Sequence, residues 1–388
     1  MTKVLAAGDR FVDPQLFVDA LTAQAPGHDL SFRTLATGWP VEPFGPVGGV
    51  REASGTEQQV LEALGDAEVL LTQMAPVTAG VLAKSPDLRF VGVARGGPVN
   101  VDLAAATEAG VIVGFTPARN AAAAAEFAVG LILASMRRIV DSDAELKSGH
   151  WRGDYYAYEN AGLELEGATA GLVGYGAIGR IVARVLAAFG ADVLVADPFA
   201  DPVQATADGV RLVELDELLR ASSVVSLHAR LTPETEHLLN AENLALLPKG
   251  AVLVNSARGG LLDYAPLPEM LRSGHLAGLA LDVYDEEPPP ADWPLFDAPN
   301  VITTPHLAGA TRQTADRAAS IVAADAARYL AGRRPRHVAN PEVLDRLEEL
   351  GRLEGPDRPE EPGSPEEPGR PEEPDRPAES GRLEDLRP

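Results

Sequence analysis

Three side chains suited to acid–base chemistry stand just after three apolar segments in the second half of the chain. Arg258 follows residues 251–255, Glu287 follows residues 279–283, and His306 follows residues 301–304. Ligands of open parallel sheets bind beyond the carboxyl ends of the strands, so strands at these segments would bring the three side chains to one edge. An imidazole exchanges a proton near neutral pH, a carboxylate can orient it, and a guanidinium grips a carboxylate. The three residues therefore predict proton transfer on a substrate that carries a carboxylate.

A glycine-rich motif further upstream predicts a dinucleotide site. It follows the apolar segment 170–173, opens a predicted helix over 178–189, and consists of Gly174, Tyr175, Gly176, Ala177, Ile178 and Gly179. Glycines permit a tight turn and a close approach of the backbone to a pyrophosphate, and the helix amino terminus favours its charge. Asp197 follows the next predicted strand, where a carboxylate accepts hydrogen bonds from a ribose and repels a 2′-phosphate. We therefore expect NAD rather than NADP, and Arg230 leaves NADP open.

The elements that must position these groups alternate between strand-like and helical patterns. Most strand-like segments are continuously apolar, which is typical of strands buried on both faces of a parallel sheet. Strands are predicted at residues 4–7, 69–72, 90–94, 170–173, 193–196, 223–227, 251–255, 279–283 and 301–304. Helices are predicted at residues 14–25, 57–64, 121–147, 178–189, 214–220 and 313–330, and a long loop at residues 37–49. This alternation predicts an α/β fold of doubly wound parallel sheets.

Length and composition exclude several classes of protein. A chain of 388 residues with 45% apolar residues is long enough for two domains with separate cores. It has no cysteine, which excludes disulfides, thiolate nucleophiles and cysteine-based metal sites, and no metal is expected. Its formal net charge of −24 disfavours binding to nucleic acid or to an anionic membrane. Neither a signal peptide nor a membrane-spanning segment is recognised, so a cytoplasmic location is expected.

The C-terminal end has a different composition from the rest of the chain. A proline stands at every third position from Pro356 to Pro377, and charged or small residues fill the positions between. Such a segment cannot bury a core and favours extended polyproline II conformations. We expect residues 341–388 to form a disordered, acidic, proline-rich tail, with docking to a proline-recognition partner as the alternative.

The motifs together resemble the D-isomer-specific 2-hydroxyacid dehydrogenases. The resemblance covers residues 69–330 and is carried by segments 91–102, 120–133, 163–179, 226–235, 248–260, 281–288 and 304–311. It implies two doubly wound parallel-sheet domains, of the Rossmann and flavodoxin-like kind, with the active site in the cleft between them. Residues 1–117, completed by residues 306–340, would bind the substrate. Residues 118–305 would form the NAD-binding domain.

The resemblance also implies roles for single residues. Arg258, Glu287 and His306 match the catalytic set. The segment that holds the substrate carboxylate, mainly through backbone N–H groups, is matched by Arg95, Gly96, Gly97 and Pro98, with Arg258 as a further contact. Cofactor contacts are implied, besides the glycine motif and Asp197, for His228, Thr232, Ala257, Asp282 and Gly309. Two departures from the family pattern are Arg95, where a small residue is common, and Ala229-Arg230, which replaces a frequent Leu-Pro pair.

The implied function is NAD-dependent interconversion of a D-2-hydroxy acid and its 2-keto acid by a homodimer. Glu287 stands where formate dehydrogenases of the same fold carry glutamine, which argues against that activity. Phosphoglycerate, glycerate or another sugar-derived hydroxy acid, and an aromatic hydroxy acid stay open as substrates. The alternative is a nucleotide-sensing, corepressor-like binding protein with little turnover, since such members of the family also carry proline-rich tails.

Overall fold

The amino-terminal part of the chain builds a five-stranded parallel sheet and a small antiparallel hairpin. The computed structural model of the protein describes residues 1–349 and 351. The strands of this part are β1 (Thr2–Gly8), β2 (Leu30–Ala36), β3 (Gly45–Val47), β4 (Val50–Ala53), β5 (Val69–Thr72), β6 (Phe90–Val93) and β7 (Ile112–Phe115). The sheet has the order β2-β1-β5-β6-β7, and β3 pairs with β4. Counted within the sheet, this is the flavodoxin-like order.

The second sheet has seven parallel strands. They are β8 (Thr169–Val173), β9 (Asp192–Ala196), β10 (Arg211–Leu212), β11 (Val224–Leu227), β12 (Ala251–Asn255), β13 (Leu276–Leu281) and β14 (Val301–Thr303). Their order is β10-β9-β8-β11-β12-β13-β14. This is the Rossmann order with one further strand, and it reverses direction between β8 and β11. Such a switch point is where doubly wound sheets bind dinucleotides.

Helices cover both sheets. They are α1 (Pro14–Gln24), α2 (Glu57–Leu64), α3 (Ala79–Ala83), α4 (Leu103–Glu108), α5 (Ala121–Met136), α6 (Ile139–Lys147), α7 (Ala177–Ala188), α8 (Pro202–Ala207), α9 (Leu215–Ala221), α10 (Ala241–Leu244), α11 (Leu267–Arg272), α12 (Arg312–Leu330) and α13 (Glu342–Glu349). Helix α12 packs on α1 and the first sheet, whereas α5 packs on α7 and the second sheet. Over residues 1–349 and 351, no helix is long and apolar enough to cross a bilayer.

The strands are buried as their composition predicts. Every residue of β5, β6, β11 and β12 is buried, because these strands are apolar on both faces and helices cover both sides. The first sheet contributes to two hydrophobic clusters and the second to two others. The predicted fold class, two doubly wound parallel sheets, is confirmed.

One predicted helix is wrong in its extent. Residues 121–147 form two helices, α5 and α6, rather than one. The break lies at Arg138, whose φ of +52° is left-handed and cannot continue a right-handed helix. Arg138 is held there by its guanidinium, which donates to Oδ1 of Asn300 at 2.5 Å, and which lies 5.5 Å from the ring centre of Tyr155. No glycine or proline marks this break in the sequence.

The boundary of the predicted tail is also wrong. Helix α13 lies beyond Asn340, and its Val343 and Leu344 are 0% and 2% exposed within the core of the first sheet. Arg334 further ties the helix down by an ion pair with Glu348 at 2.8 Å. Residue 350 and residues 352–388, which make up the rest of the predicted tail, lie outside the described residues.

The chain crosses twice between the two sheets, and the crossings touch. One runs from β7 into α5 and the other from β14 into α12. Gly309 of the second crossing lies so close to Asn120 of the first that a Cβ atom there would be 2.8 Å from Nδ2 of Asn120. Arg317 of α12 also donates to the carbonyl of Arg119 at 2.6 Å. Both crossings leave the carboxyl ends of strands, so these edges of the two sheets lie beside each other.

Candidate active site

A histidine–glutamate pair lies at the carboxyl edge of the second sheet. Nδ1 of His306 is 2.7 Å from Oε2 of Glu287, and Oε1 of Glu287 accepts a hydrogen bond from the N–H of Tyr284 at 3.2 Å. The side chains are 48% and 34% exposed, so a ligand can reach them. Because Nδ1 faces the carboxylate, Nε2 is left to exchange a proton with a substrate.

The protonation of Glu287 follows from its neighbours. Burial alone would raise the pKa of Glu287, but the hydrogen bond and charge of His306, the N–H of Tyr284 and the charge of Arg258 together lower it. The group is therefore a carboxylate at neutral pH and can stabilise an imidazolium.

His306 stands in an unusual backbone conformation. Its φ is +55°, in the left-handed region that residues with a Cβ rarely adopt. The loop is anchored beneath by Asp282, which is fully buried and accepts hydrogen bonds from Thr304 and Leu307. Tyr284 adds a further anchor, because its hydroxyl donates to the carbonyl of Thr304 at 2.9 Å. Asp282 thus lies against the histidine loop, and the expected contact with a cofactor stays a prediction.

Arg258 follows β12 and is exposed beside the pair. Its guanidinium donates to the carbonyl of Ala257 at 2.6 Å, and its charge acts on Glu287. The turn that carries it is fixed by Asn255, whose side chain donates to the carbonyl of Arg258 and accepts from the N–H of Ala257. The three residues that follow β12, β13 and β14 therefore meet at one edge, as their strand-end positions predict.

The glycine motif forms a tight turn between β8 and α7. Gly174 has a φ of +101°, and a Cβ there would be 2.5 Å from the nitrogen of Ala229. A Cβ on Gly179 would be 2.3 Å from the oxygen of Gly174, so both positions require glycine. Gly176 precedes α7 with no side-chain cap, and an added Cβ there would meet nothing within 4 Å. The N–H groups of Ala177 and Ile178 open the helix at this turn.

Asp197 and His228 flank the turn. Asp197 accepts hydrogen bonds from the N–H groups of Tyr175 at 2.7 Å and Phe199 at 2.9 Å, which fix its carboxylate against the motif. Burial lowers the pKa of His228 to about 4, so its ring is neutral, and its buried Nε2 has no hydrogen-bond partner among the described residues. Thr232 lies on an exposed loop after β11, where its N–H binds Oγ1 of Thr235 at 2.7 Å.

These features fit a dinucleotide. The uncapped amino terminus of α7 presents N–H groups to a pyrophosphate. The carboxylate of Asp197 has further lone pairs, which can accept hydrogen bonds from ribose hydroxyl groups. Nothing larger than glycine fits at 174 and 179, and open space lies beside Gly176. The residues that would hold NAD are therefore the glycine motif, Asp197 and His228.

The predicted carboxylate loop joins β6 to the following turn. Gly96 and Gly97 have open space beside them, and no hydrogen bond within the described residues uses their N–H groups. Arg95 is engaged elsewhere, because its guanidinium pairs with Glu52 of β4 at 2.5 Å and contacts the sulfur of Met74 at 2.8 Å. The N–H groups of Gly96 and Gly97 can therefore bind an anion, and the charge of Arg95 is balanced by Glu52.

Sequence reasoning missed two charged residues at the edge of the first sheet. Asp9 follows β1 and is 2% exposed, and burial raises its pKa to about 6 against the hydrogen bonds of Val12 and Phe11 and the charges of Arg119 and Arg95. Burial and the charge of Arg95 lower the pKa of Arg119 to about 10. The argument that selected His306, its position just after the carboxyl end of a parallel strand, applies equally to Asp9. It could not select Arg119, because the strand before Arg119, β7, was not predicted from the sequence.

Comparison with known proteins agrees with this geometry. Residues 129–308 match the model of the family "D-isomer specific 2-hydroxyacid dehydrogenase, NAD binding domain". The chain is 41% identical over 285 residues to the D-3-phosphoglycerate dehydrogenase of Mycobacterium leprae, covering 73% of this chain and 53% of that protein. It thus spans about half the length of the phosphoglycerate dehydrogenases it matches.

Two further relatives match over most of their length. A glyoxylate reductase of Thermofilum pendens is 37% identical over 291 residues, covering 74% of this chain and 86% of that protein. The crystal structure of the TT0316 protein from Thermus thermophilus superimposes with a TM-score of 0.71 at 34% identity, covering 87% of this chain and all of the other. The chain therefore belongs to the D-isomer specific 2-hydroxyacid dehydrogenase family and carries its NAD-binding domain.

Proposed function

We propose that the protein interconverts a D-2-hydroxy acid and its 2-keto acid with NAD. The observation that carries this proposal is the 2.7 Å contact between His306 and Glu287, with Arg258 exposed at the same sheet edge. The names of the relatives, D-3-phosphoglycerate dehydrogenase and glyoxylate reductase, support a short acid of this class.

Each residue of the set has one task. Nε2 of His306 removes the hydroxyl proton during oxidation and returns it to the carbonyl oxygen during reduction. Glu287 holds the ring through Nδ1 and stabilises the imidazolium. Arg258 grips the substrate carboxylate, together with the N–H groups of Gly96 and Gly97. NAD, when bound, supplies the hydride acceptor.

The two sheets divide these tasks between them. Residues 118–305 would bind NAD through the glycine motif, Asp197, His228, Thr232, Ala257 and Asp282, and Gly309 of the following segment would add a contact to the cofactor. Residues 1–117 and 306–340 would hold the substrate, with Glu52 balancing Arg95 at the loop. Because Glu52 neutralises Arg95, the loop favours a substrate anion bound by the N–H groups of Gly96 and Gly97 over one that requires the positive charge of Arg95.

An absorbance assay of NADH tests the proposal. The purified protein is mixed with NADH and a panel of 2-keto acids that includes glyoxylate, hydroxypyruvate, its 3-phosphate and phenylpyruvate. We expect consumption of NADH with at least one of them and, where the product is chiral, a product of D configuration. No turnover with any acid at any pH between 5 and 9 would overturn the proposal and favour the corepressor-like alternative.

We also propose that the protein is a homodimer that pairs through its segment 139–163. This segment leaves large apolar side chains exposed, among them Trp151 at 84%, Tyr156 at 96% and Tyr158 at 97%. Exposed apolar surface of this extent is typical of an interface. A second copy of the chain has the same apolar segment, so a two-fold axis beside it would pack the two segments against each other and bury both.

Light scattering after size exclusion tests the dimer. Replacing Trp151, Tyr156 and Tyr158 by serine should yield monomers. The control is Val203→Ser, which removes a side chain that is 78% exposed outside this segment and should leave the dimer intact. A dimer that survives the triple replacement contradicts the proposed surface.

A further inference from the structure

The carboxyl edge of the first sheet holds buried polar atoms without partners. Oδ1 of Asp9, which follows β1, accepts hydrogen bonds from the N–H groups of Phe11 at 2.8 Å and Val12 at 2.9 Å. Its buried Oδ2 has no hydrogen-bond partner in the described part of the chain, and neither has the buried Nη1 of Arg119, which follows β7. Buried polar groups are normally hydrogen-bonded, so both atoms require a physical reason.

Asp9 and Arg119 lie near each other without forming a pair. The guanidinium of Arg119 is 5.9 Å from the ring centre of Phe11, which belongs to the turn that the carboxylate of Asp9 holds. Burial raises the pKa of Asp9, and the hydrogen bonds of this turn and the charge of Arg119 act against that rise. Neither an ion pair nor a hydrogen bond joins the two side chains, both of which the structure describes. A third group that accepts from Arg119 and donates to Asp9 would join them.

The pair lies beside the loop that is proposed to hold the substrate carboxylate. In the sheet order β2-β1-β5-β6-β7, the loop glycines Gly96 and Gly97 follow β6, two strands from β1 and one strand from β7. Neighbouring strands are about 4.8 Å apart, so the ends of β1 and β7 are about 10 Å and about 5 Å from that of β6. A Cβ added to either glycine would meet nothing within 4 Å. A short acid held by its carboxylate at this loop can therefore extend toward Asp9 and Arg119.

A hydroxyl group meets the requirements of both unpartnered atoms. It has one hydrogen to donate to Oδ2 of Asp9 and lone pairs that accept from Nη1 of Arg119. Both hydrogen bonds involve a charged group and are stronger than those between neutral groups. Two more buried atoms without partners stand at the same edge, Oε1 of Gln73 after β5 and Oγ1 of Thr116 after β7. They can bind a second hydroxyl group.

A phosphate or an apolar side chain fits this edge less well. The charges of Asp9 and Arg119 cancel, and Glu52 neutralises Arg95, so the edge has no excess of positive charge for a phosphate dianion. The carboxylate of Asp9 would also repel a phosphate. An apolar side chain would leave both buried atoms without a partner, which is unfavourable.

We propose that Asp9 and Arg119 select a substrate that carries a hydroxyl group beyond the reacting carbon, and that the two side chains bind this hydroxyl together. The substrate class is then a short 2-hydroxy acid with further free hydroxyl groups, as in sugar acids, rather than a phosphorylated or an aromatic acid. The inference rests on the proposed function, because it concerns the far end of the same substrate.

Binding of D-2-hydroxy acids in the presence of NADH tests this selection without turnover, because both ligands are reduced and no hydride can pass. Isothermal titration calorimetry compares D-lactate, which has no further hydroxyl, with D-glycerate, D-erythronate and D-3-phosphoglycerate. A hydrogen bond to a charged group is worth about tenfold or more in affinity. We expect D-glycerate or D-erythronate to have a dissociation constant at least about tenfold below that of D-lactate. D-3-phosphoglycerate should bind no more tightly than D-lactate.

Two variants remove the two hydrogen-bond partners in turn. Arg119→Met keeps the apolar stem over Phe11 and removes the donor. Asp9→Asn keeps one acceptor for the turn, but its NH₂ group leaves the substrate hydroxyl hydrogen without an acceptor. The control is Arg89→Met, the same change just before β6 at the opposite edge of the sheet.

Each variant should bring the preference for the hydroxylated acid over D-lactate below about threefold, and the control should keep the full preference. The dissociation constant of D-lactate should stay within about threefold of the natural value in all three proteins, because D-lactate does not reach the pair. If Arg119→Met fails to fold, Asp9→Asn carries the measurement.

The outcomes separate this inference from the proposed function. Equal affinities for D-lactate and the hydroxylated acids, tighter binding of D-3-phosphoglycerate than of either, or a preference that survives both variants or is lost in the control overturns the inference and leaves the proposed function standing. A preference that both variants abolish, in a protein that consumes no NADH with any 2-keto acid, supports the hydroxyl site and overturns the proposed function.

Discussion

Helix α13 should contribute measurably to the stability of the amino-terminal sheet. Leu344 is 2% exposed and packs into the cluster around β1 and α12. Replacing a buried leucine by alanine costs about 2–5 kcal/mol, because transfer energy is lost and a cavity remains. For a unit of about 150–250 residues, 1 kcal/mol moves the melting temperature by about 2–4 °C. A cost of about 3 kcal/mol therefore predicts a decrease of roughly 6–12 °C for Leu344→Ala.

Scanning calorimetry of the full chain measures this shift. The control is Glu349→Ala, an exposed position on the same helix where alanine favours helix formation. The control should melt within about 1 °C of the natural protein, since surface substitutions are usually within about 0.5 kcal/mol. We expect kcat at 25 °C to be unchanged in both, because the side-chain hydrogen bonds of α13 go to Thr107 and Arg334, and neither is a candidate site residue. A melting temperature of Leu344→Ala equal to that of the control would refute the packing of α13.

Three other predictions concern charge. Glu287→Gln removes the charge that stabilises the imidazolium, so the alkaline limb of the pH profile for keto-acid reduction should move to lower pH. Glu286→Gln is the control. A shift in the control variant instead would contradict the pairing of Glu287 with His306. Asp197→Ser removes ribose hydrogen bonds and the repulsion of a 2′-phosphate, so the kcat/KM ratio of NADPH to NADH should rise; an unchanged ratio would mean that Asp197 does not select the cofactor. The pKa of Asp9 rises from 3.8 to about 6, so the charged form costs the folded state about 3 kcal/mol. The free energy of unfolding of the natural protein therefore falls as the pH rises from 4 to 6.5. In urea unfolding over this pH range, the free energy of unfolding of Asp9→Asn should come to exceed that of the natural protein by up to about 3 kcal/mol. A difference that does not depend on pH would contradict the burial of this charge.

The sequence could predict the second sheet well because its strands are buried on both faces. Continuous apolar segments located β8, β9, β11, β12, β13 and β14, and the residues after three of them met at one edge. Edge strand β2 was missed because half of its residues are polar or exposed and it lacks a continuous apolar run. Strand β7 was missed although Ile112–Phe115 has the same length as the predicted strand β6 and, like it, three apolar residues and one glycine.

Tertiary contacts decided what the sequence could not predict. At the break, Arg138 contacts Tyr155, which follows helix α6, and Asn300, which is 162 residues further along the chain. Helix α13 has an apolar face, but the sequence does not predict that this face packs into the core of the first sheet. The anchoring role of Asp282 depends on two backbone N–H groups, which carry no sign in the side-chain sequence. The pairing of Arg95 with Glu52 likewise required the hairpin β3–β4 to fold beside the loop.

The most direct test of the proposed chemistry is the turnover of His306→Ala with the best 2-keto acid of the natural protein. Loss of general acid–base catalysis is worth about 10²–10⁴ in rate. We predict a fall of kcat in that range, with an NADH dissociation constant within about threefold of the natural value. A kcat within threefold of the natural protein would contradict the assignment of His306 as the group that transfers the proton.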